Sequence, residues 1–147
     1  MFDKLVRGGL QLVAVAALGG VAYAQAALKW GPAPAVFPAG AKMAVVSGDP
    51  SKAAPFTVQL SMPAGYVLPP HFHPTAEHVT VKSGRFWVGM GDVMKAAKMM
   101  AKAAGDTATV PAKMHHYAKA EGATVVEVSA MGPFAMTYVK DMPKMVK

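Results

Sequence analysis

The chain has 147 residues, of which 53% are hydrophobic and 16% are charged, which excludes a disordered polar chain and leaves room for one ordinary domain. The formal net charge is +7 at pH 7, but the lysines are scattered and Arg85 is the only arginine after residue 24, so we expect no nucleic-acid partner. The absence of cysteine excludes disulfides, zinc–thiolate sites and thiol nucleophiles, so any metal must be held by nitrogen, oxygen or methionine sulfur.

Residues 1–24 are predicted to be a cleavable signal peptide. Lys4 and Arg7 form a positive start, residues 10–22 are apolar except for Gln11, and Ala22-Tyr23-Ala24 is a small-x-small cleavage site. The apolar run is shorter than the about 20 residues that a membrane-spanning helix needs. We therefore expect a periplasmic or secreted protein with no stable membrane anchor after cleavage.

The rest of the chain predicts an all-β domain. Residues 25–55 are rich in Pro, Gly and Ala and hold one edge-strand candidate at Met43–Val46. Residues 56–147 are predicted to form a β-barrel or sandwich, because short alternating segments are separated by Gly and Pro breaks. The predicted strands in this part are Phe56–Met62, Tyr66–Phe72, His78–Lys82, Arg85–Met90, Thr107–Val110, His115–Ala118, Thr124–Ala130 and Phe134–Val139.

Two local signals add detail to the β pattern. Pro69-Pro70 cannot donate hydrogen bonds to a strand ladder and favours an extended entry into the residues that follow. Ser83-Gly84 is a hairpin signal between two predicted strands.

One segment departs from the β pattern. Residues 93–104 contain Lys95, Lys98 and Lys102 among Ala and Met, with no Gly or Pro. This composition predicts a short exposed helix, Val93–Ala104, that links two halves of the barrel.

All five histidines lie in two short segments: His71, His73 and His78 in the first, and His115 and His116 in the second. On an extended chain His71 and His73 point to the same side, and Pro74 favours that extended conformation. Glu77 adds a carboxylate after a turn. Three neutral imidazoles and one carboxylate suit a first-row transition metal and leave about two of six coordination positions open.

These residues resemble the first motif of the cupin superfamily at every position. The match runs through Gly65, five residues, His71-Phe72-His73, three residues, Glu77, six residues and Gly84. Downstream, Gly105, five residues, Pro111 and then His116 five positions further resemble the second cupin motif. The likeness covers about residues 65–120 of the chain.

The second motif departs from the family pattern in two places. Lys113 stands where the family usually has glycine, and Ala120 stands where it often has asparagine. The spacing from Pro111 favours His116 as the fourth ligand, with His115 as the alternative. His78 is adjacent to Glu77 and is expected to face away from it, either in a structural role or in support of a metal ligand.

The resemblance implies a fold and a metal site. The fold is a small double-stranded β-helix, the jelly-roll-like cupin barrel, with one short helical connection. The implied ligands of one divalent transition-metal ion are His71, His73, Glu77 and His116. The ligand set does not distinguish Fe, Mn, Cu, Ni and Zn. A homodimer that forms through sheet edges is the default expectation.

Two functions fit this resemblance. In the first, the protein is a mononuclear metal-dependent oxidoreductase of the dioxygenase or oxidase type that acts on a small organic substrate. In the second, it is a non-catalytic periplasmic protein that binds a metal or a small ligand. The fold alone does not separate them.

Other residues leave alternatives open. Twelve methionines suggest either copper ligation, with Met114 as the candidate, or the filling of an apolar interior. Arg85 either holds a substrate carboxylate or faces solvent. Phe86 and Trp87 alternate on one strand, so one of the two rings is expected to face the interior.

Overall fold

The computed structural model describes residues 27–140, so the predicted signal peptide lies outside the described residues. Between these limits the chain forms eleven strands and one short 3-10 helix. The strands are β1 (Gly31–Pro32), β2 (Lys42–Ser47), β3 (Pro55–Met62), β4 (Val67–Phe72), β5 (Glu77–Ser83), β6 (Arg85–Met90), β7 (Met100–Ala103), β8 (Thr107–Val110), β9 (His116–Ala120), β10 (Thr124–Met131) and β11 (Thr137–Tyr138).

The strands pair into two antiparallel sheets. One sheet has six strands in the order β1-β2-β3-β10-β5-β8, and the other has five in the order β11-β4-β9-β6-β7. Burial alternates along β3, as expected for a sheet with one face toward a core. Leu60 and Val81 of the first sheet share that core with Phe86 and Val88 of the second. The predicted all-β jelly-roll fold is confirmed.

The predicted helix Val93–Ala104 is wrong. The structure has a single 3-10 turn at Ala96–Lys98, followed by strand β7, which pairs with β6. The open edge of β6 offers backbone partners, whereas an isolated helix of this length is marginal unless it buries an apolar face. No helix in the described residues is long and apolar enough to cross a membrane.

The Pro69-Pro70 pair lies at a β-bulge that decides which side chains of β4 face the interior. Leu68 pairs with Ala118, and the next pair is His71 with His116, so β4 advances three residues while β9 advances two. Strict alternation from the buried Leu68 would turn His71 outward, and the extra residue brings it back inside. Proline has no N–H for the ladder, which is why the irregularity falls here.

Gly84 makes the hairpin between β5 and β6 possible. Its φ of +79° lies in the left-handed region that favours glycine. A Cβ at this position would overlap the carbonyl oxygen of Ala123 and would lie 2.6 Å from Oγ1 of Thr124. Thr124 is itself fixed, because its hydroxyl bonds to the backbone of Arg85 and Gly122.

The Gly84→Ala substitution tests this packing. Gly122→Ala is the matched control, since Gly122 has a similar φ of +81° but a Cβ added there would meet no other atom within 4 Å. We expect the control to lower the free energy of unfolding by about 1 kcal/mol through backbone strain alone. Gly84→Ala should lower the free energy of unfolding by at least about 2 kcal/mol more than the control does, because the added Cβ also forces neighbouring backbone apart. Denaturant unfolding of both variants checks this, and equal costs would contradict the packing argument.

Candidate metal centre

Both sheets contribute to one cluster of side chains inside the barrel. His71 on β4 lies opposite His116 on β9 in the strand register, and His73 follows the end of β4. Glu77 is the first residue of β5 in the other sheet, on the same face as the buried Val79. The cluster therefore depends on the bulge at residues 69–70 and on the facing of the two sheets.

The three imidazoles are buried and close together. His71, His73 and His116 are 2%, 9% and 3% exposed. Each offers one ring nitrogen, and these nitrogens all lie within 4.8 Å of one another. Ligands bound to one ion at about 2.1 Å lie at most about 4.2 Å apart, so the spacing is close to that of a metal site.

A backbone carbonyl fixes the orientation of each ring. Nδ1 of His71 bonds to the carbonyl oxygen of Pro69 at 2.7 Å, and Nδ1 of His116 bonds to that of Met114 at 2.9 Å. Nδ1 of His73 bonds to the carbonyl oxygen of Ala135, also at 2.9 Å. A carbonyl oxygen only accepts, so each Nδ1 carries the proton and each neutral ring keeps a lone pair on Nε2.

Glu77 places a carboxylate against two of these lone pairs. Its Oε2 lies 3.3 Å from Nε2 of His73, and its Oε1 lies 3.3 Å from Nε2 of His116. Neutral lone pairs that face a carboxylate in a buried site repel it unless a cation lies between them. The donor set of three imidazole nitrogens and one carboxylate therefore fits a divalent metal ion, although Glu77 lies outside the mutually close group of three histidines.

The local environment favours the protonation states that such an ion needs. Burial and the neighbouring His116 lower the pKa of His71 to about 4, so this ring is neutral at pH 7. Burial opposes ionisation of Glu77, but a hydrogen bond from protonated His116 and the positive charge of His73, His116 and His71 when protonated outweigh it and hold the pKa of Glu77 below its ordinary value. With the three rings neutral, a bound cation would supply the positive charge that keeps this carboxyl group ionised.

The cluster opens into an apolar cavity that is lined by residues of both sheets. The deeper wall consists of buried core residues, among them Leu60, Val88 and Val126. Pro74 and Met131 also line the cavity but remain exposed, so they mark its mouth. The mouth is therefore next to His73.

The second histidine segment is divided between two environments. His116 lies in the cluster, whereas the side chain of His115 is 37% exposed, pairs with Asp92 and stacks on Phe72. His78 is also exposed and bonds through Nδ1 to the hydroxyl of Thr109, away from Glu77. The structure thus brings His116 to the other ligand candidates and leaves His115 outside.

The structure also shows where the other residues with two possible roles lie. Met114 is 43% exposed, and it is its carbonyl oxygen that contacts His116. Phe86 is buried and lines the cavity. Trp87 and Arg85 lie on the outer side of the sheet, where both contact Glu121. The side chain of Arg85 therefore faces solvent and does not line the cavity.

The backbone conformation of Lys113 explains how the turn of the second motif forms without the usual glycine. Its φ is +62°, in the left-handed region, and it is the one non-glycine residue with positive φ in the described part of the chain. Its N–H donates to the carbonyl oxygen of His73 at 2.8 Å. The turn keeps the shape that glycine would allow, at the cost of backbone strain.

The roles of four aromatic residues were not predicted from the sequence. Phe37 and Phe134 line the cavity and stack with ring centroids 5.8 Å apart. The hydroxyl of Tyr66 donates to the carbonyl oxygen of Pro38, and that of Tyr138 donates to the carbonyl oxygen of Val36. Burial raises the pKa of both tyrosines, so both hydroxyls stay protonated as donors. These contacts span up to 102 residues of sequence, and no local motif signals them.

Comparisons with known proteins agree with this architecture. A family model described as the ChrR cupin-like domain matches residues 19–134. An RmlC-like cupin from Shewanella frigidimarina NCIMB 400 is similar in structure, with a TM-score of 0.53 and 20% identity over 63% of this chain and 76% of that one. A cupin superfamily protein from Desulfitobacterium hafniense DCB-2 has a TM-score of 0.54 and 11% identity, over 63% and 78% of the two chains.

A third similar structure belongs to an enzyme. The DMSP lyase DddQ from Ruegeria pomeroyi DSS-3 has a TM-score of 0.55 and 19% identity, over 65% of this chain and 50% of that one. No curated protein matches the chain in sequence. At these identities the structural likeness shows the fold.

The low pKa of His71 predicts how acid affects the metal-free protein. The unfolded chain binds a proton at His71 below pH 6.5, whereas the folded chain does so only below about pH 4, so stability falls as the pH drops between these values. We expect His71 to account for a loss of about 2 kcal/mol between pH 7.5 and pH 5. Metal is first removed with a chelator, and urea unfolding at both pH values then measures the loss of stability in the wild type and in His71→Asn. The amide of Asn can preserve the hydrogen bond to the carbonyl oxygen of Pro69. Equal losses of stability in both proteins would contradict the assignment of this loss to His71.

The strain at Lys113 makes a second prediction. Lys113→Gly should raise the free energy of unfolding by about 0.5–1 kcal/mol, because relief of the strain exceeds the added entropy of the unfolded chain. Ala112→Gly in the same turn is the control and should lower it by about 0.5–1 kcal/mol. A loss of stability in both variants would show that the turn stores no strain at Lys113.

Proposed function

The chain belongs to the cupin superfamily, in the ChrR cupin-like family, and we propose that it binds one divalent transition-metal ion through His71, His73, Glu77 and His116. The observation that carries the proposal is the close approach of three buried imidazoles, with Nε2 of His73 and Nε2 of His116 each 3.3 Å from the carboxylate of Glu77. Each Nδ1 is already bonded to a carbonyl oxygen, which leaves Nε2 as the ring atom available to a metal ion. A divalent cation would satisfy all four groups at once.

The proposed activity is that of a mononuclear metal-dependent oxidoreductase, of the dioxygenase or oxidase type, with a small organic substrate. A redox-active ion would supply the electron transfer that such a reaction needs. The residues of the chain hold the ion, exclude water with an apolar wall and admit a ligand through a mouth beside His73. That the same fold occurs in a DMSP lyase supports a catalytic use of the barrel.

A second candidate is a non-catalytic protein that binds a metal or a small ligand. It is favoured by the composition of the cavity wall, in which the described lining residues include no acid or base apart from the four ligands. Binding without turnover needs no such group. In either case we propose that the protein works in the periplasm or outside the cell, on the support of the predicted signal peptide at residues 1–24.

Metal content tests the proposal. We expect the full-length protein to bind about one ion per chain, and we expect His71→Ala and His116→Ala each to weaken binding by more than about a hundredfold. His115→Ala is the matched control, because it removes an imidazole from the adjacent residue outside the cluster, and it should leave the affinity unchanged. Calorimetry with zinc or manganese measures the affinities. Full metal binding by both His71→Ala and His116→Ala would refute the site.

Oxygen uptake separates the two candidate functions. The metal-loaded protein is given phenols, diketones and small acids in turn. Uptake that His115→Ala retains and Glu77→Ala loses would support the oxidoreductase. Tight metal binding with no turnover of any compound would support the binding protein.

A further inference from the structure

The wall of the metal cavity is almost wholly apolar. Apart from the four proposed ligands, Thr75 is the one polar residue among the described residues that line it. The hydroxyl of Thr75 donates to the carbonyl oxygen of Met131 at 2.8 Å and is therefore already engaged. The described lining residues include no lysine or arginine, and Arg85 lies on the outer side of the barrel.

This wall restricts the chemistry of any ligand. A charged or strongly polar substituent would lose its water in the cavity and find no partner there, which costs several kcal/mol for an ion. The polar atoms of a ligand can be satisfied only at the metal. The geometry points to a ligand class: small molecules that bind the metal through an oxygen head group and place an uncharged apolar body in the cavity, with Phe37 limiting the length of that body.

Phe37 occupies a position from which it can set this limit. It is half-buried, lines the cavity and packs against the hydrophobic core. Its ring stacks on Phe134 at an interplanar angle of 7°, and the ring of Phe134 lies 5.7 Å from that of His73. The aromatic pair thus forms a continuous part of the cavity wall that begins beside His73.

The segment that carries Phe37 is held from both sides. We call residues 33–38 the strap. The carbonyl groups on either side of Phe37 in sequence, those of Val36 and Pro38, accept hydrogen bonds from Tyr138 at 2.7 Å and from Tyr66 at 2.6 Å. These two bonds fix the strap over the barrel and hold the Phe37 ring in the cavity wall.

This inference rests on the proposed metal centre, and its test uses the cobalt(II)-loaded full-length protein. The probes are straight-chain hydroxamic acids from acetohydroxamic acid upward, which share one metal-binding head and differ only in tail length. Visible absorption of cobalt reports binding of the head. We expect the affinity to rise about fourfold with each methylene until the tail reaches Phe37, and then to stop rising. The monohydroxamate of succinic acid, whose tail ends in a carboxylate, should bind more weakly than acetohydroxamic acid.

Two variants of the strap locate the limit. Phe37→Ala should move the length at which affinity stops rising to longer tails. Val36→Ala is the control, because Val36 lies in the same strap but does not line the cavity, and it should leave that length unchanged. If Phe37→Ala does not fold, Phe37→Leu should give a smaller shift in the same direction.

The outcomes separate this inference from the proposed metal centre. If cobalt does not bind, the metal centre fails and the ligand class fails with it. If cobalt and acetohydroxamic acid bind but longer or carboxylate-ended tails bind equally well, the apolar ligand class is overturned while the metal centre stands. An unchanged length limit in both Phe37 variants would overturn the role of Phe37.

Discussion

Three hydrogen bonds from imidazole Nδ1 atoms to backbone carbonyl groups are the constraint on which the site depends. In the neutral rings of His71, His73 and His116 they select the tautomer that leaves Nε2 unprotonated, and they hold the three rings close together. Glu77 reaches Nε2 of His73 and Nε2 of His116 from the opposite sheet. Each bond contributes only about 1 kcal/mol. This arrangement of imidazoles and carboxylate is the basis on which we propose a bound cation.

The fold supplies this constraint through the backbone of the loops and strand ends. The carbonyl groups of Pro69 and Met114 each lie two residues before the histidine that they orient, whereas that of Ala135 comes from a distant segment. The bulge at Pro69-Pro70 turns His71 inward. Because hydrogen bonds of the main chain orient the three histidines, substitutions of nearby side chains can alter the cavity without moving the proposed metal site.

The sequence predicts the parts of the molecule that depend on local patterns. Strands β2–β6 and β8–β11 follow from alternation and breaks. His71, His73 and Glu77 follow from a complete motif whose spacings have geometric reasons. His116 follows from spacing alone, and the positive φ of Lys113 shows why the motif can depart from glycine there without losing the turn.

Other features could not be predicted because they depend on contacts between distant residues. Part of the segment expected to form a helix at residues 93–104 instead forms β7, which pairs with the open edge of β6. The outward position of Met131 depends on where the cavity opens. Phe37 and its two tyrosine contacts depend on a strap that crosses the barrel from another part of the chain. Composition and spacing carry no signal for such contacts.

Nitrogen NMR of the histidine rings tests the central claim most directly. In the metal-free protein the account predicts the Nδ1–H tautomer for His71, His73 and His116. Zinc should then shift the Nε2 resonances of these three rings and leave those of His78 and His115 unchanged. An Nε2–H tautomer in any of the three rings, or a zinc-dependent shift at His115 in place of His116, would contradict the account.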